Sequence, residues 1–435
     1  MNAETQTTNP DVESVFQLVE SKKKLKIQLG YDTDIGGSTV NQDRHCIVSL
    51  PEHSVYAIIV ADGHCRETGH FVAEISKNCI EKLIKDKVTE LIENPVAFLE
   101  FCCDYIHQQV RLELVEIMEK DGYKVKVDEH SGIISKRKYE TQPWSELKGG
   151  TTFSIIVLIN RKIYIANVGD STGLLCCKHP ILKPSHIKYE KDAANPTKDM
   201  PIIDPINDTL STYIELTRDH SPGNIDEYLR MRAFKCSDEN PNHAELMCVY
   251  DVQGKHKPSC PNVFDISESG IPTVREINEY YCKNVRKEKA TYVTDKYGAD
   301  VLSVTRAFGN FKLQSLGLSN KPEIQSMDLD PIFDQLKLQI DAAKVETDAI
   351  KPIDPMTICA VLCTDGVWDN WIYDHVGKFV MDPSCLTAIV ADPERGAARV
   401  TKSFMIRNQT FARKNFGHGN ADNATGIIMY ITQEE

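Results

Sequence analysis

Four times in this chain an aspartate stands at the edge of an apolar run with strand character, beside glycine or asparagine. Val55 to Val60 leads into Ala61-Asp62-Gly63-His64, and Ile163 to Val168 into Gly169-Asp170-Ser171. Ile358 to Leu362 leads into Cys363-Thr364-Asp365-Gly366-Val367-Trp368-Asp369, while Asn420-Ala421-Asp422-Asn423 precedes Ile427 to Ile431. Continuous apolar strands are buried ones, and unpaired charge at the end of a buried strand is costly. Taken singly, Asp-Gly is a common turn dipeptide; four such aspartates at strand ends ask for another reason. A carboxylate there is held rigidly, and the glycine lets backbone approach an ion, as hard oxygen-seeking cations such as Mg2+ or Mn2+ require.

Between these points the period alternates. Lys26 to Gly30 and Cys46 to Leu50 read as strands around a Gly36-Gly37 turn. Val72, Ile75, Cys79 and Leu83 recur at helical spacing, and a second helix runs from Pro95 to about Met118, with proline suited to the first turn. Phe153 to Ile159 and Ile163 to Val168 form a hairpin through Asn160-Arg161, and Ala397, Val400 and Phe404 mark a late helix. Mixed strands and helices imply layered sheets flanked by helices, an α+β class. Residues 1–24 are a polar leader ending in Lys22-Lys23-Lys24, expected to be flexible. Residues 25–433 then read as a single domain carrying a loop-rich insertion at about 235–297, rich in proline and charge but without sustained periodicity.

The net charge of -13 excludes a chain whose main work is neutralising nucleic-acid phosphates or anionic lipid. The 14 cysteines lack a CxxC pair, and several, such as Cys359 and Cys363, lie inside apolar runs where reduced thiols are common. Neither a secreted disulfide framework nor a zinc site is expected. The polar start, Met1 to Val12, does not support a secretory signal, and no run reaches membrane-span length. The expectation is a soluble, intracellular, cytoplasmic protein, monomeric, with no nucleic-acid or membrane partner.

Nine segments in order resemble the protein phosphatase 2C family of metal-dependent Ser/Thr phosphatases, over about Leu29 to Ile431. They are Asn41-Gln42-Asp43, Val60 to His64, Gly149-Gly150-Thr151-Thr152, Ala166 to Ser171, Leu216 to His220, Val304 to Gly309, Lys321-Pro322-Glu323, Cys363 to Asp369, and Asp422-Asn423. The resemblance implies a four-layer α-β-β-α sandwich with two central antiparallel β-sheets and two Mn2+ or Mg2+ ions in a cleft at one edge. By the same resemblance Asp62 bridges the two metals, Asp365 and Asp422 complete the first, and the Gly63 carbonyl helps hold the second. Asp170 and Asp369, with Asp365, match positions for a looser third ion. A water between two such ions has a lowered pKa and attacks phosphorus in line, and the substrate is phosphoserine or phosphothreonine on proteins. His64 either protonates the leaving oxygen or only hydrogen-bonds metal-bound water. Gly149 to Thr152 lets strands pack closely, Asp219-His220 packs a loop, and Trp368 is a packing residue.

The sequence also departs from the family. Gln42 stands before Asp43 where a glutamate is usual, which weakens the second metal's binding unless Asp43 compensates. Ser38 replaces an arginine that grips substrate phosphate; Arg44, Arg66 and the Lys22 to Lys26 run are candidate replacements that spacing does not separate, so no substrate-binding residue is assigned. Asn310 stands where aspartate is usual and acts through its neighbours. Gln42, Ser38 and the long insertions carry the alternative reading, a weakened phosphatase fold serving as a binding or regulatory module. A two-metal nuclease is opposed by the acidic charge, the absent basic stripe and the motif order.

Overall fold

In the computed structural model, residues 23–191, 199–204, 207–234, 246–345, 356–417 and 419–434 are described. The leader up to residue 22 therefore lies outside the described residues, as do 235–245 of the loop-rich stretch. The chain is α+β, built on two antiparallel sheets. The five-stranded sheet orders Leu25–Asp34, Ala424–Gln433, Thr357–Cys363, Thr172–Lys183 and Asn207–Glu215. The seven-stranded sheet orders Asp199–Asp204, His186–Lys191, Glu323–Asp328, Lys162–Val168, Phe153–Ile159, Val55–Ala61 and Arg44–Leu50.

Alternation along the strands explains why their sequences are apolar throughout. In Val55–Ala61, Ile58 and Val60 enter a cluster with Ile156, Leu158 and Ile165 of the same sheet and with Leu175, Ile358, Leu362, Ile427 and Met429 of the other. The intervening Ala57 and Ile59 join Val72, Ile80, Phe98, Cys102 and Ile106 of the helices Gly69–Asp86 and Pro95–Lys120. On the five-stranded sheet, Leu174, Cys359, Val361 and Tyr430 pack instead on Val376, Val380, Val400 and Phe404 of the helices Tyr373–Val380 and Gly396–Phe416. Each sheet is thus covered on both faces, and its central strands gain from burial on either side, about 1.5–3 kcal/mol per large aliphatic side chain. The described cysteines are free thiols, most of them in these cores. Among the described residues, no helix is long and apolar enough to cross a membrane.

The expected hairpin through Asn160-Arg161 forms, with Ile159 paired to Lys162. Gly36-Gly37 does something else. Leu25–Asp34 pairs with Ala424–Gln433, whereas Arg44–Leu50 pairs with Val55–Ala61, so the segment between them crosses from one sheet to the other. Its glycines serve close approach: the Gly37 amide donates to the Ala421 carbonyl at 2.8 Å, and a Cβ on Gly36 would meet the Asp422 carbonyl at 2.2 Å. That contact sets Gln42 and Asp43 beside Asp422. In the stretch after residue 245, Met247–Tyr250 pairs with Thr291–Thr294, and Cys248, Tyr250, Val263 and Val293 share a small core of their own.

Candidate active site

The strand ends meet at a cavity of about 1360 Å3 whose wall includes Asp219, Asp365, Asp369, Asp422, Lys283 and Arg286. Backbone fixes each carboxylate. Asp62 donates its amide to Thr152 Oγ1 at 3.2 Å and accepts from the Thr152 amide at 2.8 Å. Gly63-His64 pairs with Gly150-Thr151, which pairs with Phe308-Gly309, so the Gly149 to Thr152 segment does let strands lie close; a Cβ on Gly150 would stand 2.3 Å from the Phe308 carbonyl. Asp365 opens a short turn whose Gly366 would drive a Cβ to 1.9 Å from the Asn423 carbonyl, pressing Asp365 toward Asp422. Trp368 braces that turn from the core, its Nε1 donating to the carbonyls of Thr172 at 3.0 Å and Cys363 at 2.9 Å.

The carboxylates repel one another. Asp62 is held well above the usual carboxylate range, first by burial and then by Asp43, Asp365 and Asp422, and it is close enough to Asp365 to share a proton. Burial also pushes Asp365 up to about 6, with Asp170 and Asp422 adding to the rise. Asp43, whose Oδ2 accepts from Thr364 Oγ1 at 2.8 Å, is pushed up to about 7, again chiefly by burial. Asp369 is raised by burial and by Asp365. The Oδ1 atoms of Asp43, Asp365 and Asp369 are buried without a hydrogen-bond partner among the described residues. Buried carboxylate oxygens without partners are expensive. Among the described residues no three Asp, Glu, His or Cys side chains already form an ion cage. Orphaned, mutually repelling oxygens nevertheless match the donor chemistry of a hard divalent cation, which would draw them inward.

The remaining expected residues divide. Gln42 donates its side-chain amide to the Cys65 carbonyl at 2.8 Å and its backbone amide to Asn423 Oδ1 at 2.8 Å, so its side chain clamps the loop after His64. His64 Nε2 lies 2.6 Å from Asn310 Oδ1, an acceptor, which places the ring hydrogen on Nε2. Burial lowers the affinity of this imidazole for a second proton, with Asn310 and Asp170 partly opposing. Asp170 is 3% exposed and accepts from Lys283 Nζ at 2.6 Å. Asp219-His220 is a packing loop: Asp219 Oδ1 accepts from Thr172 Oγ1 at 3.0 Å, and His220 Nδ1 accepts from the Gly169 amide at 3.0 Å. Of the candidate phosphate-gripping cations, Arg44 is committed to Glu74 and to the carbonyls of Asn41 and Asp43, and Arg66 is exposed. The cations that do line the cleft are Arg218, Lys283, Arg286 and Lys289. The last three lie in the stretch without periodicity, where an alternation of charges reads as a solvated loop.

Fold and cleft together define a class, an α+β protein with carboxylates gathered at its strand ends. Comparison with protein-family models narrows it: residues 64–195 match protein phosphatase 2C. The stretch holds His64, Gly149 to Thr152 and Asp170, and over it the chain carries the pattern of that family, as its motif order implies. No curated protein matches the chain. Solved structures that it resembles include a serine-threonine phosphatase 2C from Toxoplasma gondii, 16% identical, with 93% of this chain and 95% of that chain covered and a TM-score of 0.47. A C. elegans sex determining protein is 14% identical, with 93% and 65% covered and a TM-score of 0.47. The serine/threonine phosphatase PstP/Ppp of Mycobacterium tuberculosis is 12% identical, with 93% and 98% covered and a TM-score of 0.42.

Proposed function

We propose that this chain is a metal-dependent phosphatase that hydrolyses phosphoserine and phosphothreonine on proteins. The observation that carries the reading is the mutual approach of Asp43, Asp62, Asp365 and Asp422, all with raised proton affinities and two of them, Asp43 and Asp365, with orphaned buried oxygens, beside an open cleft lined by Asp365 and Asp422. Asp62, Asp365 and Asp422 would hold the first Mn2+ or Mg2+, and Asp62, the Gly63 carbonyl and Asp43 the second. Bound divalent ions supply Lewis acidity toward water and the phosphoryl oxygens.

The chain's own groups do the rest. Thr152, Gly366 and Trp368 keep Asp62 and Asp365 from turning away from each other. Asn310 holds Nε2–H of His64 and so leaves Nδ1 as the basic nitrogen. That nitrogen takes the proton given up by the attacking water and returns it to the departing serine or threonine oxygen.

Purified protein is expected to release phosphate from phosphoserine and phosphothreonine peptides only with added Mn2+ or Mg2+, and Asp365→Ala is expected to abolish release. Equal activity in chelator contradicts the reading. One observation favours the alternative of a weakened phosphatase fold acting as a regulatory module: Gln42, held by its Nε2–H on the Cys65 carbonyl, has only the neutral Oε1 to offer an ion. Under that alternative the protein binds phosphopeptide or Mn2+ with little or no turnover.

A further inference from the structure

The hairpin Cys282 to Lys289 is pinned to the turn that bears Asp365 and Asp369. Cys282 bridges Lys289, the Lys283 amide donates to the Glu288 carbonyl at 2.7 Å, and Asn284 closes the tip by accepting from the Arg286 amide at 3.0 Å. From the hairpin, the Val285 amide donates to the Asp369 carbonyl at 3.1 Å, and Arg286 donates to the carbonyls of Trp368 at 2.5 Å and Trp371 at 3.3 Å. The Arg286 guanidinium also lies 4.5 Å over the Tyr373 ring. A residue between such anchors has little freedom. Lys283 is that residue, and its Nζ stands 2.6 Å from Asp170 Oδ2 and 4.0 Å from Asp365 Oδ2.

We propose that Lys283 is a built-in cation of the cleft: its ammonium takes the outer position among Asp170, Asp365 and Asp369, where the family resemblance implies a looser third divalent ion. The inference rests on the metal-dependent reading of the same cleft and adds to it that the outer charge is tethered, not exchangeable. Three physical points carry it. Asp170 is 3% exposed and needs a cation close by. An ammonium is a compact point charge with three donors, a fair stand-in for a small ion, though with one unit of charge instead of two. A divalent ion at the same place would have to expel an ammonium carried on a hairpin that Val285 bonds to the Asp369 carbonyl, at the cost of Coulomb repulsion or the loss of the ion pair. The consequence is a phosphatase that takes two ions from solution and keeps its third positive charge in the chain. The stretch around 283 then has a role in the site.

The test counts ions by the electron paramagnetic resonance signal of free Mn2+, titrated into the full chain at neutral pH. Wild type and Lys283→Arg are expected to bind two Mn2+, and Lys283→Met to bind a third, weaker one that Asp369→Asn in the same chain removes. Circular dichroism of the metal-loaded variants checks folding, and the wild-type count stands whatever that check shows. A third ion already bound by wild type, or equal counts in wild type and folded Lys283→Met, overturns the proposal and leaves the two-ion reading in place. No Mn2+ bound by wild type overturns both.

Discussion

The two ends of the cleft solve the same electrostatic problem in opposite ways. At one end Asp62, Asp43, Asp365 and Asp422 repel one another, Asp62 and Asp365 lie close enough to share a proton, and Asp43 and Asp365 leave buried oxygens without partners among the described residues, with Lys283 no nearer to Asp365 than 4.0 Å. At the other end Asp170 is as buried as Asp43, yet Lys283 sits against it at 2.6 Å, carried in on a hairpin bolted to the neighbouring turn. Burial alone therefore does not make a carboxylate cluster unstable or ready for an ion. The presence or absence of a cation supplied by the fold does.

Removing a carboxylate at the unpaired end has the largest expected effect. Asp62→Asn removes the carboxylate proposed to serve both ions and should lower peptide dephosphorylation by about 10³-fold or more. Because it also removes repulsion, it should raise the melting temperature of the metal-free protein by a few degrees, on the order of 1–2 kcal/mol. Loss of activity with loss of metal-free stability would mean that Asp62 is mainly structural. Calorimetry and phosphate release on one sample separate the two.

At the paired end the sign of the stability change reverses. Lys283→Met leaves Asp170 uncompensated, and urea unfolding in chelator should show a loss of about 2–3 kcal/mol. This lies below the 3–5 typical of a fully buried pair, because the Lys283 side chain is 23% exposed. Added Mn2+ should recover part of the loss in this variant.

The unpaired end also sets a pH dependence. In chelator, Asp43 is pushed up to about 7 and Asp365 to about 6 from an ordinary value of 3.8, so the folded state holds protons that the unfolded chain releases. Stability from these groups is full below about pH 4 and is lost as pH rises through about 7. The metal-free contribution should fall across that window, and saturating Mn2+ should flatten it. A melting temperature in chelator that climbs steadily from pH 4 to 7 would run against the assignment.

Two smaller changes probe the residues around His64. Asn310→Asp puts a carboxylate on Nε2–H and should move the imidazole's pKa, read from the kcat–pH profile, up by about one unit. Gln42→Glu should change Mn2+ affinity by less than about threefold, since the added charge comes with loss of the hydrogen bond from Nε2–H to the Cys65 carbonyl. A tenfold gain in affinity would show that position 42 faces an ion.

Much of this was legible in the sequence, for a physical reason. Strands covered on both faces must be apolar at every position, so Val55–Ala61, Phe153–Ile159 and Thr357–Cys363 announce themselves, and their aspartates mark where burial ends. What the chain does beyond a strand end depends on distant partners. Gly36-Gly37 resembles a hairpin turn locally, but the strand after it finds Val55–Ala61 and not the strand before it. Lys283 was out of reach for a related reason: strands of four residues such as Met247–Tyr250 and Thr291–Thr294 are too short to display a period. The charges between them acquire meaning only through Asp369 and Trp368, more than eighty residues later.

Crystals grown with Mn2+ and measured at the manganese absorption edge would locate the ions themselves. Anomalous peaks are expected among Asp62, Asp365 and Asp422 and beside Asp43, with Lys283 still on Asp170 and no peak there. The absence of a peak at Asp62, or a manganese ion at Asp170 with Lys283 swung away, would contradict this account.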